Sequence, residues 1–257
     1  MKPVQIEVKN LTMAYDDFII QENLNFKIHQ GDVFIIMGGN GCGKSTLLRH
    51  LLGLKSPKAG EVWYQQTNLW QMPEHDRHII MRRNGVMYQS GALWSSLTLA
   101  ENIALPLQEY TDLSKEEIKG LAYLKLALVG LVGFEEYYPA EISGGMKKRA
   151  GLARALALDP DILFFDEPSA GLDPVSAKLL DDLILSIQAS LGTTIVVVTH
   201  DLPSLFAIGT DAIFLDSSSK TLIAQGAPKT LLKECTNPVL QQFLNRGEIS
   251  GSETVKL

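Results

Sequence analysis

A glycine-rich stretch near the start of the chain has the residue types and spacing needed to hold phosphate. "GGNGCGKS", residues 38–45, satisfies the pattern G-x-x-x-x-G-K-[ST] and lies between an apolar run and a helical pattern. Its glycines let the backbone curl, so that successive NH groups point at one set of phosphate oxygens in front of a helix N-terminus. Lys44 would reach the β- and γ-phosphates of a nucleotide, and Ser45 would hold Mg²⁺.

Two further stretches carry ionisable side chains at the ends of apolar runs. "DILFFDEP" ends in the adjacent carboxylates Asp166 and Glu167. Asp166 suits Mg²⁺ and Glu167 suits the attacking water, because phosphoryl transfer needs a positioned nucleophile and neutralised charge. "VVVTHD" contains His200, which is either a structural histidine or, beside these carboxylates, a sensor of the γ-phosphate.

A second glycine-containing stretch, "ISGGMKKRA" at residues 142–150, joins a hydroxyl and two glycines to three cations. A helix start carries partial positive charge, so Lys147, Lys148 and Arg149 are unfavourably placed in its first turns. Either these side chains extend into solvent, or an anion supplied from elsewhere offsets them.

The elements that must position these residues follow an alternating strand and helix pattern. Short, nearly unbroken apolar runs predict parallel strands buried on both faces, at residues 33–37, 162–165, 194–198 and 212–215. Helical patterns follow the first three of these runs, at residues 45–54, 174–190 and 202–209. Residues 4–10 and 61–66 alternate instead and predict antiparallel strands beside the main sheet. The chain is therefore predicted to have a layered α/β core.

The rest of the chain divides around this core. A helical subdomain is predicted over residues 91–145, inserted into a nucleotide-binding domain that covers residues 1–236. The C-terminal extension, residues 237–257, combines a docking helix with a loose tail. Asn237 can cap this helix, and Gly247 can end it. Its apolar stripe of Val239, Leu240, Phe243 and Leu244 contacts either a partner or its own domain.

The composition limits the classes of function that the chain can have. The chain has 257 residues, a net charge of -6 and 46% hydrophobic residues, so a broad electrostatic footprint for nucleic acid is not expected. The two cysteines, Cys42 and Cys235, form no disulfide framework and fit a reducing cytosol. No apolar run reaches the length of about 20 residues that a spanning helix needs.

The motifs together resemble a known family. Gly38 to Ser45, Gln89, "ISGGM", "ILFFDEP", "AGLDP" and "VVVTHD" occur in the order and spacing of the ATP-binding-cassette (ABC) ATPases, over roughly residues 4–228. The resemblance implies a P-loop ABC ATPase with a RecA-like core, an antiparallel β subdomain and an inserted helical subdomain. It also implies Mg²⁺-dependent hydrolysis of ATP to ADP and phosphate.

The resemblance assigns roles to individual residues. The implied ATP-binding residues are Tyr15, which would stack on adenine, and Gly38, Gly39, Asn40, Gly41, Cys42, Gly43, Lys44, Ser45 and Thr46. The implied catalytic residues are Lys44, Gln89, Glu167 and His200, and the implied Mg²⁺ ligands are Ser45, Gln89 and Asp166. Gln89 would also link the metal and γ-phosphate to a transmembrane partner.

The resemblance also resolves the question of the second glycine stretch. In this family two copies pack head to tail, and Ser143, Gly144, Gly145 and Met146 would close over the ATP held by the other copy. Met146 departs from the family pattern, in which Gln is usual. Asp173, in "AGLDP", would cross the dimer interface, although it could equally cap a helix before Pro174.

Residues 89–107, "SGGM" and "NPVLQQFL" narrow the resemblance to the MlaF-like ATPases of MCE-type phospholipid transport systems. This branch implies an MlaE-like permease and an MCE-domain protein as partners, with a small STAS-type regulatory subunit left open. It also implies a place on the cytoplasmic face of the inner membrane. Two alternatives remain, the ATPase of a polar-solute transporter and an ABC ATPase that moves no solute.

Overall fold

The computed structural model describes residues 2–89 and 91–245, within which it has two sheets and nine α-helices. The strands are β1 Val4–Tyr15, β2 Phe18–His29, β3 Val33–Gly38, β4 Ala59–Tyr64, β5 Thr67–Asn68, β6 Asn84–Met87, β7 Ile162–Asp166, β8 Thr194–Val198, β9 Asp211–Asp216 and β10 Thr221–Gly226. The helices are α1 Lys44–Leu51, α2 Glu74–Met81, α3 Leu99–Tyr110, α4 Lys115–Leu128, α5 Gly144–Ala155, α6 Pro174–Leu191, α7 Leu202–Ile208, α8 Pro228–Glu234 and α9 Pro238–Leu244.

The larger sheet has the strand order β10-β9-β3-β8-β7-β6. The five strands β9, β3, β8, β7 and β6 run parallel, and β10 pairs antiparallel with β9 at the edge. The parallel strands predicted from the four apolar runs are confirmed. Their carboxyl ends bring the phosphate loop, Asp166 and His200 to one edge of the sheet.

Each face of this sheet is covered by a separate hydrophobic core, which explains the unbroken apolar runs. In β3, Val33, Ile35 and Met37 face a core that also includes the buried sides of α3, α4, α5 and α6. Phe34 and Ile36 face the opposite core, shared with α1 and the smaller sheet. Because successive side chains of a strand alternate between faces, a strand covered on both sides needs apolar residues at every position.

The smaller sheet is antiparallel, with the order β2-β1-β4-β5. The predicted antiparallel strands at residues 4–10 and 61–66 are confirmed, since Val8 of β1 pairs with Val62 of β4. The sequence patterns did not predict β2, although it pairs with β1 along most of its length. Its exposed positions include Glu, Asn and Lys, so its local strand propensity is weak and its pairing with β1 stabilises it.

Residues 91–145 hold α3 and α4, and no strand occurs among the described residues of that range. Thr98 and Ser114 cap these two helices, each in a reciprocal pair with a glutamate three residues later. α5 then runs from the second glycine stretch back towards the core. In the part of the chain that is described, no helix is both long and apolar enough to span a bilayer.

The C-terminal helix α9 packs against its own domain through most of the predicted apolar stripe. Leu240, Phe243 and Leu244 are buried in the core that contains α5 and α6, and the Phe243 ring lies 5.1 Å from the Phe214 ring. Val239 is 45% exposed. Asn237 caps the helix, accepting from two backbone NH groups, whereas Gly247 and the predicted tail lie outside the described residues. Contact with a partner remains a prediction for the exposed side of α9.

Candidate active site

The phosphate loop joins the carboxyl end of β3 to the N-terminus of α1. Gly43 precedes the helix with φ +99°, and a Cβ at this position would lie 2.6 Å from Ile20 Cγ2, so the turn requires glycine. The Lys44 ammonium folds back and donates to the carbonyl oxygens of Gly38 at 2.9 Å and Gly39 at 3.0 Å. The first NH groups of α1 have no partners within the helix. Together with the Lys44 ammonium they could hold an anion.

The carboxylate at the end of β7 lies next to this loop. The Ser45 hydroxyl donates to Asp166 Oδ1 at 3.3 Å. Burial is the largest influence on Asp166 and raises the pKa of its carboxyl, with Glu167 adding to the rise. A divalent cation between Ser45 and Asp166 would offset this desolvation, so the pair fits Mg²⁺.

Gln89 is the third predicted metal ligand, but unlike Ser45 and Asp166 it is not hydrogen-bonded to the other two. Its side chain is exposed just beyond the end of β6. No cluster of three or more His, Cys, Asp or Glu side chains occurs in the described part of the chain.

Glu167 and His200 meet across two neighbouring strand ends. His200 Nδ1 lies 2.7 Å from Glu167 Oε1, within hydrogen-bond distance. The Glu167 backbone has φ +51°, a left-handed conformation that costs a non-glycine residue about 1–2 kcal/mol. Its NH donates to the Val198 carbonyl at 2.8 Å. The strained backbone thus has identifiable partners, and it directs the carboxylate towards the histidine.

A cavity of about 520 Å³ extends from the phosphate loop along the smaller sheet. It is lined by Tyr15, Phe18, Ile19, Ile20, Asn40, Gly41, Gly43, Lys44, Ser45, Thr46, Glu167, Ser217 and Lys220. Tyr15 is 43% exposed, its hydroxyl accepts from Arg49, and the Lys55 ammonium lies 3.7 Å from its ring centroid. The arrangement offers an aromatic surface at one end and phosphate donors at the other. Gly38, Gly39 and His200 line an adjoining cavity of about 250 Å³.

The second glycine stretch lies apart from this cavity. Ser143 caps α5 by accepting from the Met146 NH at 3.3 Å, and none of residues 143–146 lines either cavity. Asp173 caps α6, because its Oδ1 accepts from the NH groups of Val175 and Ser176 at 3.0 Å each. The capping role left open for Asp173 therefore occurs in the structure.

The comparison with known families identifies the chain. Residues 21–170 match the family described as ABC transporter. The chain belongs to the ABC transporter ATP-binding family. It is an ATP-hydrolysing ABC ATPase, and the predicted fold and activity are confirmed.

Relatives of this ABC ATPase include proteins named for different cargoes. It is 38% identical to the intermembrane phospholipid transport system ATP-binding protein MlaF of Haemophilus influenzae, over 96% of this chain and 92% of that protein. It is 41% identical to the probable ribonucleotide transport ATP-binding protein mkl of Mycobacterium tuberculosis H37Rv, over 94% of this chain and 67% of that protein.

The solved structures also place this ABC ATPase among cassettes that dimerise. A dimeric ATP-binding cassette in a post-hydrolysis state, bound to ADP and Pi, matches it with a TM-score of 0.78 and 30% identity. The match covers 86% of this chain and 98% of that one. ABC cassettes dimerise and act with membrane permeases.

Sequence reasoning missed two residues that hold this ABC ATPase's site together. Gln21 of β2 is fully buried, and its amide donates to the carbonyls of Cys42 at 2.8 Å and Asp216 at 2.9 Å beneath the phosphate loop. Lys148 of α5 is buried, so the alternative in which the three cations extend into solvent is wrong for this residue. An isolated glutamine in an unrecognised strand and a lysine in a charged run carry no local signal of burial.

Proposed function

We propose that this ABC ATPase drives phospholipids between the inner and outer membranes of a diderm bacterium. It would work at the cytoplasmic face of the inner membrane with an MlaE-like permease and an MCE-domain protein. The observation that carries the proposal is the 38% identity to MlaF over nearly the full length of both chains. Lipid specificity would reside in the partners, because no described helix of this chain can span a membrane.

In this proposal the residues around the phosphate loop divide the work of hydrolysis. Glu167 positions the attacking water as a base or orienter, and His200 holds the Glu167 carboxylate and senses the γ-phosphate. Lys44 binds the β- and γ-phosphates, and Ser45, Asp166 and Gln89 would hold Mg²⁺. Held by these residues, Mg²⁺ would supply positive charge that offsets the charge on the phosphate oxygens. The contact between Ser45 and Asp166 at 3.3 Å supports this ligand set.

The remaining predicted residues complete a site shared by two copies. Tyr15 stacks on adenine, supported by its position at the end of the cavity. The stretch from Ser143 to Met146 closes over the ATP of the second copy, and Asp173 caps α6 while its loop reaches the interface. The γ-phosphate of that ATP would offset the partial positive charge at the start of α5.

A groove between the core and the helical subdomain would receive the permease. It has a volume of about 880 Å³ and lies between α2, β6, α3 and the end of α5. Trp94 is 59% exposed, Tyr110 48% and Leu105 41%, and Arg82 and Arg154 lie beside them. An amphipathic helix with an apolar face would bury these side chains. ATP-driven closure would thereby move the permease.

The catalytic assignment is tested by Glu167→Gln. This variant should bind ATP and accumulate a dimer with nucleotide trapped between the copies, whereas Lys44→Ala should lose both binding and turnover. Sedimentation with and without ATP measures the dimer, and phosphate release measures turnover. Turnover near the wild-type rate in Glu167→Gln would contradict the assignment.

The cargo is tested by purifying the assembled transporter through this subunit and identifying bound material by mass spectrometry. An MCE-domain partner together with phospholipid would support the proposal. A polar-solute transporter is the second candidate, because the mycobacterial relative is named for ribonucleotide transport. A periplasmic solute-binding protein or a ribonucleotide, without lipid, would overturn the lipid assignment.

A further inference from the structure

Lys148 lies on the first turns of α5, and its side chain points into the protein. Its side chain is 6% exposed. The ammonium donates to the carbonyl of Gln89, and it also donates to the carbonyl of Glu167 at 3.4 Å. One side chain of α5, called here the signature helix because it begins at the second glycine stretch, therefore contacts the main chain of two residues that the proposed function places in hydrolysis.

This cation has no carboxylate partner among the described residues. Burial lowers the pKa of Lys148, and attraction to Glu167 opposes that fall. A buried ammonium that donates hydrogen bonds only to carbonyl oxygens is costly to desolvate, and an apolar side chain of similar length would fill the space at lower cost. Packing alone therefore does not account for a lysine at this position.

The same face of α5 continues the contact with the segment that follows β6. A Cβ on Gly151 would lie 3.0 Å from the Cα of Gly91, so the helix and this segment approach at backbone distance. Arg154 donates to the carbonyl of Ala92 at 2.7 Å. Lys148, Gly151 and Arg154 are spaced three residues apart and share one side of the helix. The segment that follows β6 is thus held against α5 at three successive positions.

Glu167 needs such support because its backbone is left-handed, at φ +51°. Its NH donates to the Val198 carbonyl at 2.8 Å, and its carbonyl accepts from the Ala170 NH at 3.2 Å and from the Lys148 ammonium at 3.4 Å. We propose that Lys148 is a positioning residue for ATP hydrolysis, fixing the main chain of Glu167 and Gln89 relative to the signature helix. The inference rests on the proposed catalytic role of Glu167.

This arrangement links the two sites of a dimer. The helix that begins at Ser143, which would meet the ATP of the other copy, also holds the glutamate that serves the ATP of its own copy. Movement of α5 during closure would reach Glu167 through the ammonium of Lys148. A protomer would then hydrolyse its own ATP only when its signature helix contacts the ATP bound to the other copy.

The test compares three variants of the full chain. Lys148→Met removes the ammonium and keeps the aliphatic length, Lys148→Arg keeps charge and donors, and Lys147→Met makes the same charge change at the neighbouring, partly exposed position. Lys148→Met should lower kcat at least about tenfold with KM for ATP within about twofold, since the lost contact orients the water and not the nucleotide. Lys148→Arg should recover most of kcat, and Lys147→Met should keep the wild-type kcat and KM.

The inference is overturned if Lys148→Met retains kcat within about twofold of wild type, or if Lys148→Arg loses as much kcat as Lys148→Met. An equal loss in Lys147→Met would also overturn it. If Lys148→Met does not fold by circular dichroism, Lys148→Leu, which also lacks a donor, replaces it under the same criteria. Failure of the proposed function is distinguishable, because then Glu167→Gln would remain active whatever Lys148 variants do.

Discussion

Replacing Phe243 by alanine tests whether α9 stabilises its own domain or serves mainly to dock a partner. Phe243 is 9% exposed and packs edge to face on Phe214, with ring centroids 5.1 Å apart. Truncating a buried phenylalanine costs about 3–5 kcal/mol, which includes loss of the aromatic pair. The free energy of unfolding of a folded domain is about 5–15 kcal/mol. The expected loss is therefore a large fraction of the stability of this domain.

The assay is denaturant unfolding of the isolated chain followed by circular dichroism, without nucleotide. The matched control is Val239→Ala on the same helix, because Val239 is 45% exposed and its truncation should cost under about 0.5 kcal/mol. Pull-down of the assembled transporter with each variant measures docking separately. An unchanged unfolding midpoint in Phe243→Ala, together with lost assembly, would refute the reasoning and assign α9 to docking.

Two further predictions concern the dimer and the buried acid of α6. A dimer with Lys44→Ala in one copy and Ser143→Arg in the other should keep one working site, whereas a dimer with both changes in the same copy should lose ATPase activity. Equal residual activity in the two dimers would argue against a shared site. Burial raises the pKa of Asp181, whose Oδ2 lies 2.7 Å from the Ser204 hydroxyl oxygen. The protonated form is therefore favoured in the folded state, and its stabilising contribution is lost as the pH rises through the folded pKa. Asp181→Asn should thus gain thermal stability over wild type near pH ~7.5 and lose that advantage near pH ~4, and a pH-independent difference would contradict this.

The sequence by itself determined the features of this protein that depend on residues close together along the chain. The phosphate loop from Gly38 to Ser45 is a local backbone conformation that glycine and a following helix create together. The buried parallel strands were predictable because coverage on both faces forces apolar residues at every position. The order of these strands and loops was enough to indicate the ABC family, and the family comparison confirmed it.

The tertiary structure decided which distant residues meet. β2 was not predicted, because a polar-rich strand is stabilised by its pairing with β1 and not by its own propensity. α2 has no buried residue and so no apolar period to detect. The stripe on α9 was predicted, but amphipathicity alone does not say which surface covers it, and only the fold places Phe243 on Phe214.

Lys148 shows the same limit of sequence-based prediction at the active site. Within "MKKR" its charge predicts a solvated side chain, yet the fold buries it against the carbonyls of Gln89 and Glu167. Burial of a single long side chain depends on the approach of segments far apart in sequence, and no local pattern records that approach. The residue types that carry the chemistry were therefore readable in sequence, whereas the contacts that hold their backbones in place came only from packing.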